Sequence, residues 1–565
     1  MTTNDANSSD LIADDTAIDA ITVEVIRNAF NSIAQQMNNN LARSAYTPII
    51  YEMKDCSVAV FDRNVQQVGQ STGLPVFVGT LETAVRSVVD HFGVESLQPG
   101  DVYLINDSYI VGSHLNDVSV LSPAFLDGAL IGFGASKAHW MDIGAKSPSQ
   151  AMDSTDIFQE GYRLGPTRVF DAGEPDRGVI DFLTRNSRLP TAIWGDLQAQ
   201  VAACRTGERE LAELHRRFGT DVVEAAASAI FRQSEILDAE AVAVMPDGRW
   251  EAAGELDSWG PGGEPVAVSV AVEIRGDQIH VDLTGSAPQT PGNLNCGLAQ
   301  TIAGVRLAYK FLVNPQASVT AGSFRNLSMT VPERSVFDAR LPAACQYYYP
   351  HIGLLIDLFM RAMSKPAPDL TVAGQPADSM NILFTGDHPS TGELFVSGEA
   401  TAVGWGAYQG GDGSNGMINF GGGDLKNFPV EVQEHRYPLR IHQYALRNDS
   451  GGQGRWRGGL GIVREYEVLT DCRLSTWFER TRTPGGGLFG ADAGRVARVT
   501  VDEASRSWAA LKCADVPVAA GTRIRVETGG GGGFGAVDER DAAAIEQDRI
   551  DGYVTDSPDD QISAG

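Results

Sequence analysis

The 565-residue sequence has no apolar run approaching the ~20 residues that a membrane-crossing helix needs. That excludes an ordinary transmembrane span. It also lacks a basic-then-apolar leader, so the reading places the protein in the cytoplasm. Basic residues are in deficit, 44 Lys and Arg against 72 Asp and Glu, which leaves a net charge of −28. So acidic a chain repels nucleic acid and anionic membrane, and neither is expected as a partner. Its six cysteines, Cys56, Cys204, Cys296, Cys345, Cys472 and Cys513, form no C-x-x-C pair. This argues against a thiolate zinc knot and a disulfide frame and leaves reduced thiols used in packing. Nucleophile signatures are missing as well. No G-x-S-x-G elbow occurs, and no Cys stands beside a His in the sequence. The glycine runs at 410–413 and 529–533 lack the following Lys-Ser/Thr of a P-loop and read as tight structural turns, so the chain is not expected to hold ATP by itself.

What the sequence has in excess is glycine, 62 residues concentrated in the second half, which reads as many tight turns in β-rich structure. The expected fold class is α+β. Mixed helices and sheets fill an N-terminal half that carries the candidate site, and a glycine-rich, β-rich half follows. The boundaries are a disordered acidic tail over residues 1–19, an α/β region over 20–245, a β-rich region over 246–545 and a flexible tail over 546–565. Val23, Ile26, Phe30, Ile33, Ala34, Met37 and Leu41 recur at helical spacing, and Pro48 follows the end of that helix. Further helices are predicted over 79–92, 197–218, 221–244, 298–312 and 353–363. Residues 55–62, 102–105 and 118–121 read as strands. Hairpins are predicted around Asp127-Gly128 and Gly276-Asp277.

Chemistry gathers in Asn106-Asp107-Ser108-Tyr109-Ile110-Val111-Gly112-Ser113-His114-Leu115-Asn116-Asp117, with an echo at His139-Trp140-Met141-Asp142. His114 and Asp117 stand three apart in a glycine-containing loop between strands, and His139 follows at a strand end. Neutral imidazoles and carboxylates of this kind can hold a divalent ion and leave a position for water. By spacing alone the set is suggestive, since a lone histidine is more often a surface or core residue than a ligand. Asp55, at the mouth of a strand, reads either as a turn cap or as a carboxylate held over a pocket. Residues 147–166, with Asp153, Asp156 and Glu160, read as a loop over the site.

Several separated stretches then resemble one family over most of the chain. They include Thr22-Val23-Glu24-Val25-Ile26-Arg27, Arg43-Ser44-Ala45-Tyr46, the Asn106–Asp117 segment, Ala138-His139-Trp140-Met141-Asp142-Ile143-Gly144, Phe158-Gln159-Glu160-Gly161, Gly195-Asp196-Leu197-Gln198-Ala199-Gln200 and Asp449-Ser450-Gly451-Gly452. The sequence is similar to the B subunits of the hydantoinase/oxoprolinase family, with N-methylhydantoinase, caprolactamase and ketone carboxylase relatives. The resemblance implies a metal held by Asp55, His114, Asp117 and His139, with zinc favoured by two His and two Asp and Mn or Fe as alternatives. It implies outer roles for Asp107, Asp142 and Glu160 in orienting imidazoles or moving protons. It further implies a hydantoinase A-like ATPase partner that binds ATP and activates a cyclic amide (hydantoin, oxoproline or lactam) by phosphorylation. Hydroxide delivered from the metal would then open that small-molecule substrate. Trp140 and Met141, bulkier than in many amide-cleaving relatives, lean with Asp156-Ile157-Phe158-Gln159-Glu160-Gly161 toward a second reading, an ATP-dependent, biotin-independent ketone carboxylase subunit.

Overall fold

The structure, a computed structural model, describes residues 18–555. It is α+β. The first sheet has seven strands in the order β2-β1-β5-β4-β3-β6-β7. These are β1 (Cys56–Asp62), β2 (Gln67–Gln70), β3 (Val102–Ile105), β4 (Asp117–Leu126), β5 (Ala129–His139), β6 (Thr167–Asp171) and β7 (Glu174–Pro175). Near-continuous burial along β1, β4 and β5 shows that both faces are covered. Helices Ala20–Ser44 and Pro190–Phe218 pack against this sheet on one side, and Pro75–Phe92 lies on the other. Three further sheets, of four, four and five strands, build the rest. One apolar cluster runs from Val23 through Val270 and Leu355 to Trp477 and joins the two halves of the chain.

Local signals explain most helix boundaries. Asp19 caps Ala20–Ser44 by accepting from the Thr22 amide at 3.0 Å, as an N-cap carboxylate should. Three helices begin earlier than the apolar periodicity predicts: Pro75–Phe92, Pro190–Phe218 and Tyr349–Met363. Each has proline in its first turn, where the missing N–H costs nothing and the fixed φ suits the helix. Asp196, in that second helix, accepts from the Tyr46 and Thr47 amides at 2.7 and 3.1 Å and from the Thr47 hydroxyl at 2.6 Å. It thereby fixes the chain as it leaves the first helix.

Two expectations are corrected here. The tail expected to be flexible from residue 546 instead continues the helix Ala542–Ile550. The Asp548 carboxylate is buried against Arg457 and Arg540, at 3.2 and 2.6 Å, and Thr555 donates to Asp449 at 2.7 Å. Those ion pairs tie the segment down. Residues 1–17 of the acidic tail and 556–565 lie outside the described residues.

The second correction concerns residues 529–533, which form no tight turn. Gly530 donates to Arg495 O, Gly531 to Gly459 O, Gly532 to Gly374 O and Gly533 to Asp492 O, all at 2.8–3.1 Å. The fourth bond thus returns to the segment used by the first. A repeat of three with a different neighbour on each side is the geometry of polyproline II. Here glycine removes every Cβ and lets backbones touch. A Cβ on Gly531 would lie 1.9 Å from Trp405 O, and one on Gly530 1.9 Å from Ser450 O. Glycine is abundant in this half because main chains replace side chains as the packing material.

The bundle supplies a direct test. Gly531→Ala must push backbone aside and should lower stability by at least about 4 kcal/mol or prevent folding. Gly486→Ala, with nothing within 4 Å of the added Cβ, should stay within about 1 kcal/mol of the parent. Thermal denaturation of the two variants should therefore rank them far apart, and equal melting temperatures would refute the packing argument.

Candidate metal centre

Strand register brings the candidate ligands together. Asp117, the first residue of β4, pairs directly with His139, the last of β5. On the other side of β5, Cys56 pairs with Ala138, and the His139 amide donates to Asp55 O at 3.1 Å. Asp55, His139 and Asp117 therefore sit side by side at one end of three adjacent strands. His114 arrives from the loop before β4, where the Asp117 amide donates back to His114 O at 3.1 Å. That loop contains the single helical turn Ser108–Val111, capped by Asp107. It ends at Gly112, whose φ of +88° and contact with Gln300 leave no space for a Cβ. Lys137, fully buried, donates to Ser113 and Thr80, each at 2.8 Å, and holds the turn beside the sheet. Lys54 and Ser149, which flank the site, both have left-handed backbone, with φ of 61° and 66°. Non-glycine residues keep such conformations only where their surroundings impose them.

His114 Nε2 lies 3.4 Å and His139 Nδ1 3.2 Å from Asp117 Oδ1. His114, Asp117 and His139 offer ligand atoms that all lie within 4.8 Å of one another. Tetrahedral bonds of ~2.0–2.1 Å place ligand atoms about 3.4 Å apart, so the spacing fits a small divalent ion. The hydrogen-bond balance agrees with this. Asp55 Oδ1 and Asp117 Oδ2 are sealed from solvent and make no well-formed hydrogen bond within the protein, although the Tyr348 hydroxyl lies toward Asp117. Unsatisfied buried acceptors on two neighbouring carboxylates are costly, and a cation is a partner that satisfies both at once. Burial pushes Asp55 up to about 7 against the opposing pull of His139. Burial also drops the His114 imidazole to about 3, keeping it neutral. At Asp117 burial opposes the charge, but His114 and His139 outweigh it and hold the carboxyl below its usual value. His139 is raised, because its hydrogen bond to Asp117 and the charge of Asp55 outweigh burial.

The four groups open onto a cavity of about 90 Å³. Its walls include Ile49, Met53, Leu74, Phe77, Met141, Met152, Ile382, Leu383 and Leu425, with Gln346, Tyr348, Asn381 and Asn419 as polar points. The Tyr348 ring stands against His114 with centroids 5.2 Å apart. Gln346 and Tyr347–Tyr349 were not signalled by any spacing in the sequence. The only trace is the unusual run Gln346-Tyr347-Tyr348-Tyr349 ahead of a helix, more than 200 residues after the histidines.

Asp107, Asp142 and Glu160, expected in outer roles, do not line this cavity. Asp107 caps its helical turn and faces Arg163 at 3.6 Å. Asp142 accepts from the Ser149 and Arg188 amides at 3.2 and 2.6 Å and pairs with the Arg188 guanidinium at 2.9 Å. Glu160 accepts from Ser154 Oγ at 2.7 Å and from the Cys345 and Gln346 amides at 3.0 and 2.8 Å. These carboxylates shape the cavity by holding the loops that form it. Trp140 also points away from the cavity, donating to Gln200 at 2.8 Å from a fully buried position, whereas Met141 faces in.

Comparison with known proteins agrees with this architecture. The family model described as Hydantoinase B/oxoprolinase matches residues 19–537. The chain belongs to the hydantoinase B/oxoprolinase family. Among its relatives, the beta subunit of the Pseudomonas jessenii caprolactamase is 30% identical, over 95% of this chain and 94% of that protein. The putative B subunit of a D-/L-hydantoinase from a Pseudomonas sp. is 28% identical, over 95% and 93%. The crystal structure of the ATP-dependent caprolactamase from Pseudomonas jessenii superposes with a TM-score of 0.87 at 28% identity, covering 95% of each chain. Among the described residues no helix is long and apolar enough to cross a membrane.

Burial raises Glu160 to about 8, although its three donors pull the other way. Its ordinary value is 4.5, so between these pH values the folded protein binds the extra proton. Stability should therefore fall as pH rises through that window, by up to about 1.4 kcal/mol per unit. Glu160→Gln, which cannot titrate, should show a smaller drop in melting temperature between pH 5.5 and 8.5 than the parent does. Parallel pH profiles would show that Glu160 is not the group responsible.

Proposed function

We propose that this chain is the metal-bearing catalytic subunit of an ATP-dependent enzyme that opens a small cyclic amide, with the nucleotide held by a hydantoinase A-like partner. The observation that carries the reading is the buried His114–Asp117–His139 cluster, which with Asp55 lines one small cavity. A divalent ion there, zinc by its fit to two His and two carboxylates, would act as a Lewis acid and make water acidic near neutral pH. The chain's own residues do the rest. Ile49, Leu74, Phe77 and Leu383 keep bulk water from the reacting carbonyl, which strengthens every charge interaction inside. Tyr348 supports the His114 ring, and the β4–β5 register holds Asp117 against both imidazoles.

Assignment of ATP to a partner has two supports. The amides of Gly530 to Gly533 all donate to main-chain carbonyls, so these four consecutive glycines offer no amide to cradle a phosphate. The hydantoinase and caprolactamase relatives are also each named as one subunit of an enzyme.

Elemental analysis should find a divalent metal in the parent and its loss in His114→Ala and in His139→Ala. Full metal content in both variants would end the proposal of a metal centre. The protein reconstituted with its ATPase partner should hydrolyse ATP in response to lactams or hydantoins without bicarbonate. His139→Ala should lower ring opening by at least about 100-fold, since even residues outside the ligand set of metal sites cost 10–100-fold. ATP turnover that requires a ketone and fixes labelled bicarbonate would instead make the protein a ketone carboxylase subunit.

A further inference from the structure

We propose that Gln346 reads the ring N–H of the substrate, so that the cavity selects cyclic amides bearing that hydrogen over N-substituted amides and over ketones. The inference rests on the cyclic-amide reading above and adds to it a specificity-determining residue.

The carboxamide orientation follows from its neighbours. Asn116 Nδ2 donates to Trp140 O at 2.9 Å and to Ser149 O at 3.2 Å. Two carbonyl partners fix which end of Asn116 is nitrogen, so its Oδ1 is the atom that meets Gln346. Gln346 Nε2 donates to that oxygen at 3.5 Å. Turning the Gln346 amide over would set oxygen against oxygen. Its Oε1 must therefore face the other way, and there it is sealed from solvent with no donor in the protein. Gln346 itself is 2% exposed and lines the cavity.

The residue is held in place from behind. Its amide donates to Glu160 at 2.8 Å, and the next amide, of Tyr347, donates to Asn293 O at 2.9 Å. A rigid, buried acceptor lacking a donor is a standing cost that a bound N–H removes. The other unpartnered atoms of Asp55, His114 and Asp117 belong to the candidate ligand set. Gln346 Oε1 and the Tyr347 hydroxyl are left over; the hydroxyl brings its own proton, whereas Oε1 can only accept, and as a neutral amide oxygen it suits the weakly polar N–H of a lactam or hydantoin. A ketone offers no such hydrogen. Sites built around a substrate hydrogen bond reject analogues lacking it strongly, because their own buried groups are then left unpaired.

The test uses the reconstituted complex with a small-ring lactam and its N-methyl analogue, reading kcat/KM for each. The parent should prefer the N–H lactam by about 100-fold or more, and Gln346→Met should reduce that preference to a few-fold with metal content unchanged. Because the preference is a ratio within one sample, loss of folded protein cancels from it. If Gln346→Met does not fold, the parent's own ratio still decides. Equal use of both lactams by the parent, as would follow if only a water satisfies Gln346, overturns the inference. So does an unchanged ratio in the variant. Either result leaves the amide-opening reading intact, whereas turnover of ketone with bicarbonate and of no cyclic amide overturns both.

Discussion

The pairing of Asp117 with His139 across β4 and β5 is the constraint on which the site depends. Side chains alternate along a strand, so a slip of one residue would send both to opposite faces. The register is secured on each side of β5: β4 continues in pairing to Leu126, and β1 pairs from Cys56 to Asp62. Both faces of these strands are buried, so a slip would exchange Val58 and Val60 with Ala59 and Phe61, which pack on the opposite face, and break the close fit on both sides. The precision of the ligand cluster is therefore a by-product of sheet packing, and His114 needs only a short, glycine-dependent turn to join it.

The far wall of the cavity is held by a different principle. Asn419 accepts the amides of Gly421 and Gly422, and Trp405 donates to Ile418 O from the edge of the glycine bundle. In that bundle neighbouring backbones approach as closely as hydrogen bonds allow, with no side chains to yield. Such packing is stiff, and it connects the chain around 404–418, which reaches the cavity, to segments near 459, 492 and 530. The C-terminal half thus gives the cavity a rigid back, and the charged residue it adds to the lining, Glu399, is paired with the buried Arg464 guanidinium.

How far the sequence could be read follows from the range of the interactions involved. His114 and Asp117 lie three residues apart, and His139 ends the next strand of a hairpin marked by Asp127-Gly128. Their meeting is local and visible in the pattern. Asp55 had two readings until the family resemblance favoured one of them, because strand β1 lies beside β5 by long-range pairing that no local pattern reports. Gln346 and Tyr348 are more distant still. The expected turns at 529–533 were wrong for a related reason: glycine tells that space is short but not whether a turn or a neighbouring chain takes it. Helix starts at Pro75, Pro190 and Tyr349 were missed because apolar periodicity begins later than the helix does.

The carboxylates show why residue type alone could not assign roles. Asp117, Asp142 and Glu160 lie in stretches that carry the resemblance, and Asp55 enters through what it implies. Asp142 and Glu160 each collect main-chain amides as donors, with an arginine or a serine in addition. Nothing in their surroundings calls for a further ligand. Asp55 and Asp117 each retain a sealed oxygen with no well-formed hydrogen bond. Glu208 and Asp338 also keep such an oxygen, so it is the meeting of Asp117 with both imidazoles, beside Asp55 in one cavity lining, that sets these two apart as candidate ligands. Unpartnered buried atoms occur elsewhere too, at Gln300 and Gln375 for example, so what distinguishes Gln346 is that it combines such an atom with a place in the lining beside the His114–Asp117–His139 cluster.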